Sequence, residues 1–201
     1  MTNDLRIACP PAGLPPSNAQ TAADFKLALR KQLLAARRNV PAATRADWDR
    51  AICRHIVQWW QQAQVPALGV YWPLRDEPDL HAAYAELAHL GVRLLLPVVL
   101  EKHAPLVFAA WEIGDTLVKD AMGIAVPAHG RTEPAPPALL VPCLGFNAQG
   151  YRLGYGGGFY DRTLEHPPRP ATIGIAYACL AADFGNDSHD VALDRIITEV
   201  G

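Results

Sequence analysis

Apolar and polar positions along the chain group into blocks with helical and extended periods in turn. Phe25, Leu29 and Ala36, with Leu27 and Leu34, recur at helical intervals, and Asp24 offers an N-cap, so the pattern predicts a helix over 24–39. On another face of that helix Lys26, Arg30, Leu33 and Arg37 follow the i, i+4, i+7, i+11 spacing and form a largely basic stripe. A second helix is predicted from Thr44 or Asp47 through Gln62, with Pro66 ending the region. An apolar run over 67–71 reads as a buried strand, 81–90 as a helix stopped by Gly91, and 92–99 as a parallel strand covered on both faces. Further strands are expected over 106–111, 139–144, 173–177 and 195–200, and the proline-rich stretch 127–137 reads as a surface loop. Strands separated by helices predict an α/β fold, a Rossmann-like three-layer α/β/α arrangement with a mainly parallel sheet and helices on both faces. Ligands of such sheets sit beyond the carboxyl ends of the strands.

Before residue 23 there is Pro, Gly, Ser and Asn without apolar periodicity, so a flexible tail over 1–22 and a single domain over 23–201 are expected. Half of the 201 residues are hydrophobic and 19% are charged, which is the composition of a folded globular chain. A net charge of -2 provides no field that would gather nucleic acid or an anionic membrane, so an anionic ligand must be held by local groups. Cys9, Cys53, Cys143 and Cys179 lack CxxC spacing, and the histidines form no HExxH pattern, which excludes a zinc signature and a disulfide framework. Reduced, buried cysteines, no membrane-length apolar stretch and no leader pattern together predict a cytoplasmic protein without membrane or nucleic-acid partners, acting as a monomer.

The chemistry is concentrated between Tyr151 and Arg162, where Gly154, Gly156, Gly157 and Gly158 follow a predicted strand and turn. A segment of this kind turns tightly and lets a polyphosphate approach backbone amides without obstruction by Cβ atoms. Arg152 adds a fork of donors for phosphate oxygens, and Asp161 a carboxylate where a phosphate-bound Mg²⁺ needs one. The run is not a Walker loop, and its glycine spacing misses the dinucleotide fingerprint by one residue. Tyr155, Phe159 and Tyr160 are poor residues for a solvated linker, which argues for a built loop.

The string from Gly150 to Arg162 resembles the signature of the 5-formyltetrahydrofolate cyclo-ligase family. The resemblance extends over about Phe25 to Glu199 and keeps the family's order: Lys26 with Arg30, Tyr71 to Glu77, Leu96 with Pro97, Trp111, the glycine loop, His189 with Asp190, and Thr198 with Glu199. It implies ATP contacts from Lys26, Arg30, Arg152, Leu153, Gly154, Tyr155, Gly156, Gly157, Gly158, Phe159 and Tyr160, with Arg152 and Tyr160 acting on the reacting groups. It implies a folate site with Trp72, Glu77 and Tyr155, in which Trp111 is either a second wall or a core tryptophan, and Mg²⁺ ligands at Asp161 and Asp190. Arg37 and Arg38 fall outside the matched pair and are expected at the surface, and His189 is expected as a structural neighbour. The implied reaction is ATP-dependent closure of 5-formyltetrahydrofolate to 5,10-methenyltetrahydrofolate. A non-catalytic relative binding nucleotide or RNA on the same fold is the rival, which the intact Lys26, Arg30, Arg152, Asp161 and Asp190 disfavour. The chain departs from the usual pattern at Leu139 and Asn147, where Asp is common, at Val126, and at Ala178 to Leu180.

Overall fold

The computed structural model describes residues 19–74, 76–165 and 167–201, so the expected tail lies outside the described residues as far as residue 18. Helix α1 (Ala19–Arg38) begins upstream of Asp24, which sits inside the helix rather than at its cap. The run of alanine, glutamine and threonine before Asp24 propagates a helix at little cost, and one capping bond does not outweigh it. The inner face of α1 also differs from expectation: Leu27 is 52% exposed, whereas Leu29, Leu33, Lys26 and Arg37 are buried. The basic stripe faces the protein. Helix α2 (Ala42–Ala63) buries Ile52, Cys53, Ile56 and Val57 and ends on Gln64 in the left-handed conformation, whose N–H returns to the Trp60 carbonyl.

Six strands form the main sheet: β1 (Ala67–Gly69), β2 (Arg93–Val98), β3 (Val107–Trp111), β6 (Ala138–Pro142), β9 (Ala171–Ile175) and β10 (Arg195–Ile197). Their order is β10-β9-β6-β1-β2-β3, with helix α3 (His81–His89) crossing between β1 and β2. All neighbours are parallel except β2 and β3, which pair antiparallel from Leu94 opposite Trp111 to Val98 opposite Val107. The expectation that 92–99 lies within a parallel sheet therefore holds on one side only. The link between Val98 and Val107 is too short for a crossover, so the chain turns back as a hairpin. Two small antiparallel pairs were not apparent from periodicity: β4 (Leu117–Lys119) with β5 (Ala125–Pro127), and β7 (Gly145–Phe146) with β8 (Arg152–Leu153).

The pleat divides the core. Leu94, Leu96, Leu140, Ile173 and Ile175 pack with α1, α2 and α3 on one face, while Leu95, Leu139 and Val141 pack with Leu164 and Leu193 on the other. Leu164 belongs to α4 (Phe159–Leu164), so helices cover both faces of the α/β sheet, unevenly. Chain order reverses at β1, which has β2 on one side and β6 on the other, and the carboxyl ends of these strands open a crevice there. Gly69 closes β1 where the packing is tightest, since an added Cβ would lie 2.3 Å from Leu139 Cδ2 and 3.1 Å from Pro136 Cγ. Gly69→Ala is expected to lose about 1–3 kcal/mol through overpacking, read as a lower urea midpoint with an unchanged slope. A midpoint equal to the parent's would show that the strand yields freely. No helix among the described residues is long and apolar enough to cross a membrane.

Candidate active site

A cleft of about 620 Å³ occupies this crevice, within the size range of small-molecule sites. Tyr71 and Trp72 follow β1, Pro97 and Val99 close β2, Pro142 ends β6, and Met122 and Ile124 overhang from the β4–β5 turn. The cleft brings together Lys26, Arg30, Trp72, Glu77, Arg152, Leu153, Gly154, Tyr155, Gly156, Gly157, Gly158, Phe159, Tyr160, Asp161 and Asp190. Trp111 is the one sequence-predicted site residue that does not line it. At 6% exposure it packs edge-on against Trp72 at 5.8 Å and Tyr84 at 5.9 Å, which makes it the core tryptophan that backs Trp72.

The loop is held from both ends. Before it, the Asn147 side chain accepts the N–H groups of Gln149 and Tyr151 at 3.1 and 3.0 Å and donates to the Phe184 carbonyl at 2.9 Å. An aspartate there could make the first two bonds but not the third, so this departure from the family pattern has a local use. Within the loop, Arg30 Nε donates to the Gly154 carbonyl at 2.8 Å. Gly156 and Gly158 have φ of +93° and +65°, the left-handed region that side chains resist, and Gly158 leads directly into α4.

The cations of the cleft are already engaged. Arg152, with a side chain only 6% exposed, grips Asp161 with both ends of its fork at 2.8 Å and lies 5.6 Å from the centre of the Tyr160 ring. Lys26 Nζ lies 2.7 Å from Asp187 and 2.9 Å from Asp190. Burial opposes the charge on Lys26, but its hydrogen bonds to the two aspartates outweigh it and hold its pKa above the ordinary value. Asp187 was not singled out from sequence, because an aspartate three residues before Asp190 in a polar loop carries no motif.

Among the described residues no three metal-ligating side chains gather. The carboxylates of Asp161, Asp187 and Asp190 nevertheless line one cleft and are the hard oxygen donors that Mg²⁺ takes in small number, completing its shell with phosphate and water. The residues therefore fit a phosphate-bound ion rather than a protein-caged one. His189 does not line the cleft; it borders a separate depression with Leu164, Pro167 and Arg169.

Arg37, expected at the surface, is fully buried. Its Nη2 donates to the Tyr155 hydroxyl at 2.8 Å, and that hydroxyl donates to Glu77 Oε1 at 2.5 Å. The other Glu77 oxygen accepts the Leu74 N–H at 2.8 Å. Burial first, then the charge of Glu77, raises the Tyr155 phenol above its usual pKa against the opposing pull of Arg37. Burial likewise raises Tyr160, with Arg152 opposing. Both phenols are therefore neutral donors at physiological pH. Burial also pushes the Cys53 and Cys143 thiols up to about 11 and about 12, so neither supplies a thiolate, and Cys9 lies outside the described residues.

Comparison with known proteins bears on the family and the fold. A family model described as the 5-formyltetrahydrofolate cyclo-ligase family matches residues 22–199. A protein from Mycolicibacterium smegmatis named 5-formyltetrahydrofolate cyclo-ligase is 34% identical over 86% of this chain and 93% of its own length. One of the same name from Mycoplasma pneumoniae is 31% identical over 87% and 98%. The solved structure of a 5,10-methenyltetrahydrofolate synthetase from Aquifex aeolicus superposes with a TM-score of 0.77 at 26% identity, covering 88% of this chain and 91% of that one.

Proposed function

The chain belongs to the 5-formyltetrahydrofolate cyclo-ligase family, and on that footing we propose that it uses ATP to convert 5-formyltetrahydrofolate to 5,10-methenyltetrahydrofolate. The formyl oxygen attacks the γ-phosphorus and displaces ADP, giving a phosphorylated formyl imidate. N10 then bonds to the formyl carbon and gives its proton to the phosphate, and the C–O bond breaks as hydrogen phosphate leaves. One observation carries the reading: the glycine loop's own Tyr155 hydroxyl bonds to Glu77, so the phosphate side and the ring side form one contiguous site.

The protein's part is alignment and charge neutralisation, since phosphoryl transfer needs little covalent help. Glu77 accepts the paired N–H groups of the pterin, and Trp72 stacks beside it. The Arg152 fork passes from Asp161 to phosphate oxygens, Lys26 turns from its aspartates to the same polyphosphate, and Arg30 keeps the loop in place through Gly154. Tyr160, as a neutral phenol, orients the formyl oxygen by donation, while Tyr155, whose one proton goes to Glu77, borders the same site. When bound, Mg²⁺ held by Asp161 and Asp190 would offset charge on the transferring phosphoryl group.

Purified protein supplied with 5-formyltetrahydrofolate, ATP and Mg²⁺ is expected to develop the near-ultraviolet absorbance of the methenyl product. Leaving out ATP, or chelating the metal with EDTA, is expected to abolish the signal, and excess Mg²⁺ to restore it. An absence of ATP-dependent absorbance change overturns the proposal, and EDTA-resistant turnover overturns its metal component.

A further inference from the structure

We propose that Arg37 is a positioning residue of the folate site, which acts through the Tyr155 hydroxyl to fix the orientation of the Glu77 carboxylate. The inference rests on reading Glu77 as the carboxylate that receives the pterin.

Arg37 is wholly enclosed, on the inner face of α1 that also carries the core residues Leu29 and Leu33. A guanidinium in such a place loses its hydration, which is costly unless strong polar contacts replace it. One polar contact of Arg37 leads into the cleft: Nη2 donates to Tyr155 Oη at 2.8 Å, and the guanidinium carbon lies 5.8 Å from the centre of the same ring. A guanidinium only donates. Facing Arg37, the phenol oxygen must accept, and its single proton is directed to Glu77 Oε1. With Oε2 held by the Leu74 N–H, both Glu77 oxygens have a fixed donor.

Glu77 is itself only 7% exposed and sits in the loop after β1, with no helix or strand to set its rotamer. Tyr155 belongs to the glycine-rich loop, which Arg30 ties to α1 at the neighbouring Gly154 carbonyl. Arg37, on a twenty-residue helix, is the rigid member of the three. It transmits the position of α1 to two loop residues that touch substrate, as a support residue is required to do for a precise binding constellation. Without Arg37 the phenol would be free to reverse its hydroxyl, and Oε1 of Glu77 would lose its fixed donor while Oε2 stays on Leu74.

The test uses full-length Arg37→Met, Arg37→Lys, Tyr155→Phe and the double variant Arg37→Met/Tyr155→Phe. It reads 5-formyltetrahydrofolate binding by tryptophan fluorescence quenching, and KM for folate and ATP separately. Arg37→Met is expected to weaken folate binding about tenfold, the scale of one lost hydrogen bond to a charged group, with KM for ATP within about twofold. Arg37→Lys, which keeps a charged donor, is expected to recover part of the loss. In the Tyr155→Phe background the Arg37→Met change is expected to add less than about twofold, because the relay is already broken. Equal rises in both KM values, or full additivity with Tyr155→Phe, would assign Arg37 a general structural role and overturn the proposal. If Arg37→Met does not fold, Arg37→Lys with and without Tyr155→Phe gives the same decision. A parent protein that binds no 5-formyltetrahydrofolate overturns the reading of the cleft and the relay with it; a parent that binds it as tightly as Arg37→Met does overturns the relay alone.

Discussion

Replacing Arg152 with methionine is expected to lower ATP-dependent turnover by roughly three orders of magnitude, the scale at which charge-stabilising donors to a transferring phosphoryl group act. Methionine keeps most of the aliphatic volume, so the cleft wall stays filled while the two-pronged donor is lost. In the free protein Asp161 also loses the two-pronged donor that holds its carboxylate in place. The fall is expected mainly in kcat, since charge on the phosphoryl oxygens grows towards the transition state. Initial rates of methenyl formation at saturating ATP measure it, with thermal unfolding as the check on the fold. Activity within about tenfold of the parent in a stably folded variant would remove Arg152 from the chemistry. Arg152→Lys is expected to fall between the two, keeping the charge without the fork.

The second large effect is expected on the other wall. Glu77→Gln is nearly isosteric, yet it should raise KM for 5-formyltetrahydrofolate about a hundredfold, since hydrogen bonds to a charged partner are worth about 1.5–3 kcal/mol. The two oxygens of Glu77 accept from Tyr155 and from Leu74, and both are expected to accept from the ligand. A glutamine nitrogen at either place meets donors with a donor. KM for ATP should change little, because the phosphate-side cations are held by other groups: Lys26 by Asp187 and Asp190, Arg30 by Gly154, and Arg152 by Asp161. Separate KM determinations settle the matter, and a parallel rise for both substrates would mean that Glu77 holds the loop rather than the folate.

Continuous apolar runs and the crowded glycines are local signals, and for that reason the strands, the crossover helix and the loop were legible. Long-range satisfaction was not. Periodicity finds two faces on α1 but cannot say which turns inward, and Leu27 looked the better core residue than Arg37. What makes the basic face the inner one is the Tyr155 hydroxyl, 118 positions away, and the aspartates that receive Lys26. Asp187 escaped notice for the same reason. The direction of β3 was set by the length of a connection rather than by composition, and β4 and β5, at three residues each, are too short to show a period. Trp111 was legible as an aromatic near the site, but only the stack of Trp72 in front of it decides that it supports the wall without touching the cavity.

Lys26 meets its partners 161 and 164 positions later in the chain. On a ribosome adding 5–20 residues per second, that separation is on the order of ten to thirty seconds, during which α1 exists before the aspartates that will receive Lys26. The cleft thus closes only near the end of synthesis. A chain that stops short of Asp187 carries the glycine loop without the carboxylates opposite Lys26, and so without Asp190, one of the two proposed metal ligands.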